Sequence, residues 1–113
     1  IERGNAWNPT ALAEARARGA VLVDFTADWC VTCKVNEATA INRDEVQAAF
    51  AQHRVTLLIA DWTNADPAIT AELAHHGRNS VPLYLWYPAG GGEPEILPQL
   101  LTPAMLIERA QGR

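Results

Sequence analysis

The sequence predicts a single α/β domain, a mixed central sheet flanked by helices on both faces. Three observations lead there. Apolar runs of strand length, rich in β-branched and aromatic residues, occur at residues 20–23, 55–60 and 81–87. Helical segments with recognisable starts and stops separate them. A glycine-rich turn then joins the third run to a short return strand. The 113 residues suit one domain.

The first helix starts at Asn8, a capping residue, with Pro9 in the first helical position and Gly19 just past the end. The run Ala20-Val21-Leu22-Val23-Asp24-Phe25-Thr26 follows, nearly continuous in apolar character, as in a strand buried on both faces. Cys30 opens a second helix, which weakens around residues 40–42. Asn42 with Glu45 reads as a new capping signal, so a break near Ile41 is expected, with helix resuming to about Gln52. A second strand runs through residues 55–60. Asp66 and Pro67 start a helix closed by Gly77. Pro82 precedes the strand Leu83-Tyr84-Leu85-Trp86-Tyr87, and Gly90-Gly91-Gly92 turns the chain back. Pro94 and Pro98 bracket the return strand and mark it as an edge. Thr102 and Pro103 start a last helix to about Ala110. The order is α-β-α-β-α-β-β-α. The first two strands, joined through helices, should be parallel, and the last two should form an antiparallel hairpin.

Composition excludes several functions. Nine basic residues against thirteen acidic ones give a net charge of −4, and no basic stripe marks a nucleic-acid surface. No apolar run approaches the roughly 18 residues that would span a bilayer. Two cysteines cannot build a disulfide scaffold or a four-cysteine zinc site. Gly90-Gly91-Gly92 lacks a lysine and a following helix, so it is a turn and not a phosphate cradle. Ile1 is not an initiator methionine, so the chain is expected to be processed or excised from something longer.

The cysteines lie three apart, in Trp29-Cys30-Val31-Thr32-Cys33-Lys34, where a buried strand meets a helix start. Free backbone N–H groups there stabilise an anion, which lowers the pKa of Cys30 and makes it the attacking thiolate. Cys33, one turn inward, is the resolving thiol. Cys30 attacks a substrate disulfide, and Cys33 displaces the substrate by closing Cys30–Cys33. The alternatives are two cysteines that merely pack, or half of a metal site. Zinc would need ligands from His53, His75 and His76, none at a matching spacing. No metal or dissociable cofactor is therefore expected, only the redox-active disulfide itself.

Residues 23–34 resemble the active-site segment of the thioredoxin fold. More closely, they are similar to the C-terminal periplasmic domain of DsbD-type thiol:disulfide interchange proteins. Ala60-Asp61-Trp62-Thr63-Asn64, Asp66-Pro67-Ala68-Ile69-Thr70, Val81-Pro82-Leu83-Tyr84-Leu85, Leu97-Pro98 and Leu101-Thr102-Pro103 extend the likeness from about Trp7 to Ala110. The resemblance implies a thioredoxin fold over residues 1–113, excised from a larger membrane protein. It further implies a monomeric periplasmic domain relaying electrons from a membrane-embedded domain to the N-terminal periplasmic domain of the same protein. Ordinary thioredoxin fits less well. Val31-Thr32 stands where it usually has Gly-Pro, and Lys34 is the sole lysine. A stand-alone thioredoxin-like reductase and a non-enzymatic binding module are the alternatives, and a binding module would not need both cysteines.

Four further positions carry expectations. Asp24, in an apolar strand, should be desolvated and suited to take the Cys33 proton, or else it bonds to backbone at a strand end. Glu37 lies seven residues after Cys30 and four after Cys33, on one helix face, where its charge would oppose thiolate formation. Its plain alternative is a solvated surface glutamate. Trp29 should shield the disulfide and offer apolar surface to partners, or simply pack. Sequence alone makes the Val81–Pro82 bond trans. The resemblance makes it cis, facing the cysteines, with the Val81 backbone pairing an extended substrate.

Overall fold

The computed structural model describes residues 4–112. Its elements are β1 (Asn5–Ala6), α1 (Pro9–Arg18), β2 (Val21–Thr26), α2 (Val31–Asn36), a π-helical turn (Glu37–Ile41), α3 (Asp44–Gln52), β3 (Thr56–Asp61), α4 (Pro67–His75), β4 (Leu83–Tyr87), β5 (Glu95–Ile96) and α5 (Pro103–Ala110). The strands form one mixed sheet in the order β1-β3-β2-β4-β5. β2 runs parallel to β3 and antiparallel to β4, and β4 and β5 form the hairpin. This is the thioredoxin arrangement, with β2 at the centre.

Local chemistry explains the boundaries. Asn8 Oδ1 accepts the Ala11 N–H at 2.8 Å, Asp66 Oδ1 accepts the N–H groups of Ala68 and Ile69, and Thr102 Oγ1 accepts that of Met105. Each cap precedes a proline in the first helical position. Gly19 ends α1 in an extended conformation, so left-handed freedom is not its role. The Arg54 carbonyl passes so close that a Cβ would stand 2.8 Å from its oxygen.

Two expectations are corrected. The N-terminal strand β1 went unforeseen, because two exposed residues carry no periodicity; β3 supplies it, pairing Asn5 with Leu58 and Ala6 with Ile59. Asn42 does not cap α3: the capping position is Arg43, with no side-chain hydrogen bond. The chain reaches that position out of a π turn, in which the Asn42 N–H donates to the Glu37 carbonyl at 2.8 Å.

The sheet divides the core in two. Val21, Val23, Phe25, Leu58, Leu83 and Leu85 meet α1 and α4 on one side. Leu22, Leu57, Ile59, Tyr84 and Trp86 meet the π turn, α3 and α5 on the other. All six residues of β2 are buried, which fits a nearly continuous apolar run at the centre of a covered sheet.

Candidate active site

The site lies where β2 ends and α2 begins. Ala27 accepts the Cys30 N–H at 3.1 Å, and Cys30 caps α2 by accepting the Lys34 N–H at its carbonyl. Cys30 and Cys33 are joined by a disulfide, with Cα atoms 5.2 Å apart. The Cys33 backbone N–H donates to Cys30 Sγ at 3.2 Å. Cys30 retains 7% exposure and Cys33 none, so of the two only Cys30 is open to solvent. Val81 packs against Ala27, Cys30 and Cys33 across a cis Val81–Pro82 bond.

Both expected carboxylates are buried. Asp24 is 1% exposed, on the face of β2 that looks toward α3 and α5, in register with Ile59 and Tyr84. Glu37 is no solvated surface residue: it is 8% exposed and accepts the Thr26 hydroxyl at 2.9 Å. The Lys34 ammonium stands 3.5 Å from Glu37 and 3.7 Å from Asp28, a cation shared between two carboxylates.

Trp29 projects beside the disulfide, more than half exposed, its ring 6.0 Å from Trp62. With Val31 and Val35, also exposed, it lines an open apolar groove of about 400 Å³ that reaches Cys30. An exposed apolar surface around a reactive atom suits protein partners better than a small polar ligand.

Sequence reasoning missed the clamp on this loop. Thr63 Oγ1 accepts the Asp28 N–H at 2.9 Å, and the Thr63 carbonyl accepts the Trp29 indole N–H at 3.1 Å. Asp61 Oδ1 in turn takes both the N–H and the hydroxyl of Thr63. The Asp-x-Thr spacing was the available signal, since short polar side chains two apart make such turns. Thr26 and Asn36 were also missed. Among the described residues no cluster of three or more His, Cys, Asp or Glu side chains could hold a metal ion.

A thioredoxin-like family model matches residues 4–89. The chain belongs to the thioredoxin-like family. Within it, this domain groups with the C-terminal domain of DsbD. It is 31% identical to that domain of Neisseria meningitidis in its oxidised form, with a TM-score of 0.68 over 91% of this chain and 86% of the other. The reduced form gives 26% identity and a TM-score of 0.67, over 93% and 96%. The thiol:disulfide interchange protein DsbD 1 of Pseudomonas aeruginosa is 40% identical over 84 residues, or 74% of this chain. The match spans only 14% of that protein's length. The thioredoxin-like domain thus carries a Cys-x-x-Cys disulfide of the kind used in dithiol–disulfide exchange, and no helix among its described residues is long and apolar enough to cross a membrane.

Proposed function

We propose that this domain is a periplasmic protein-disulfide reductase that relays electrons from a membrane-embedded domain to partner disulfides through Cys30 and Cys33. An upstream dithiol reduces Cys30–Cys33. Cys30 thiolate then attacks a partner disulfide and forms a mixed disulfide. Cys33 gives its proton to Asp24 and attacks Cys30 Sγ, and the partner leaves as a dithiol. The observation that carries this reading is the asymmetry of the pair: Cys30 alone is open to solvent, and the Cys33 N–H donates to its sulfur. Burial of Asp24 penalises its charged form, which suits a proton acceptor. Glu37 holds negative charge near the thiol and restrains it, with Lys34 as counterweight. Trp29 and the segment at Val81 and Pro82 form the docking surface beside Cys30. The domain works as a monomer without a dissociable cofactor or metal.

Cysteine variants test the order of attack. Mixed with a disulfide-bearing protein, Cys33→Ser should accumulate an adduct that dithiothreitol reverses, and Cys30→Ser should not. An adduct on Cys30→Ser alone would reverse the assignment. The potential of the pair sets the direction of flow, a donor lying nearer roughly −270 mV and a strong oxidant nearer about −120 mV.

A further inference from the structure

We infer that Asn36 is a positioning residue for the resolving step, bracing the Cys33 helix against the strands and loop that complete the site. Asn36 closes α2 one turn after Cys33 and is 1% exposed. A buried primary amide has two N–H donors and an acceptor oxygen, each costly to leave unpaired. Here all are used, and they reach different parts of the chain. Nδ2 donates to the Tyr84 hydroxyl at 2.9 Å and to the Gln99 carbonyl at 2.7 Å. Oδ1 accepts the Leu101 N–H at 3.1 Å. Tyr84 is the direct cross-strand neighbour of Asp24, so the two side chains share a face. Gln99 sends its own amide back to the Pro82 carbonyl at 3.5 Å. The active-site helix, the Asp24–Tyr84 pair and the segment behind Pro82 therefore meet on one side chain.

The two chemical steps depend on this registry differently. In the first, Cys30 at the outer end of α2 meets a partner from solvent. In the second, buried Cys33 must lose its proton to Asp24 and form a bond to Cys30 Sγ while the substrate sulfur departs with the electron pair. Only the second needs α2 and β2 held in fixed relation, and the brace rests on the reading of Asp24 as proton acceptor.

A chromogenic aromatic disulfide, dithiobis-nitrobenzoate, separates the steps, because each releases one coloured thiolate. With the reduced domain, Asn36→Ala and Tyr84→Phe should slow the second release about fivefold or more, the scale of one buried hydrogen bond. The pH midpoint of that phase should move, and the first release should keep its rate. Tyr84→Phe removes a single oxygen and carries the test if Asn36→Ala does not fold. Equal slowing of both phases, or a second phase unchanged in rate and midpoint, overturns the brace when Asp24→Asn still slows the second phase selectively. If Asp24→Asn leaves that phase untouched, the proton-acceptor reading fails and the brace falls with it.

Discussion

Val21, Val23 and Phe25 point to one side of the sheet, and Leu22, Asp24 and Thr26 to the other. On the first side every position toward the cysteine end stays apolar, and α1 and α4 close over it. On the second, apolar packing holds at Leu22 and Trp86 but gives way to Asp24 and Thr26, facing Asn36 and Glu37. These four are the buried polar or charged residues among those described. Burying such groups costs free energy unless their partners are good, and the apolar side supplies the stability that tolerates them. One strand serves both purposes because alternate residues answer to different neighbours.

The largest effect is expected from damage to the apolar side. Phe25→Ala should lose about 3–5 kcal/mol in urea unfolding, from lost transfer free energy and a cavity beneath Trp7. The folded fraction should still exchange disulfides at the parent rate. A loss below about 1 kcal/mol would mean that this face is not where stability resides. Asp24→Asn should do the reverse, with unfolding changed little and Cys33 resolution slowed roughly a hundredfold or more in stopped-flow thiol release.

Charge changes on the polar side should have smaller effects. Glu37→Gln should lower the Cys30 titration midpoint in the reduced domain by up to about one unit, read from thiolate absorbance. Lys34→Met should raise it, since the ammonium facing Glu37 and Asp28 is lost. An unmoved midpoint in both would remove charge tuning from this side. The smallest effect lies away from the site. A hydrogen bond from its own backbone N–H holds the Glu45 carboxyl below the ordinary carboxylate range, with burial opposing and Arg43 assisting. A depressed folded-state pKa stabilises above the unfolded value of 4.5 and is lost as pH falls through the folded value. Glu45→Gln should therefore lower the Tm slightly near neutrality, and the two proteins should converge in acid.

The apolar side was legible in the sequence nearly residue by residue, because continuous hydrophobic runs and capped helices are local signals. The cysteine pair was legible for the same reason: strand, Cys-x-x-Cys and helix are contiguous. Asn36, Thr26 and Thr63 were not. An asparagine inside a helix reads as a weak helix former, and only the fold brings Tyr84, Gln99 and Leu101 to it across more than forty residues. The failed cap at Asn42 has a related cause, since the motif assumed a regular helix start and the chain arrives from a π turn.

That wide turn also fixes how the active-site helix relates to the core behind it. In a regular α-helix each residue advances about 100° around the axis. The buried residues of α2 and the π turn, Cys33, Asn36, Glu37, Ala40 and Ile41, recur at spacings of three and four, so they form one stripe along the segment. The stripe that seats Ile41 in the core therefore also seats the resolving thiol behind Cys30, and neither end can be turned without turning the other.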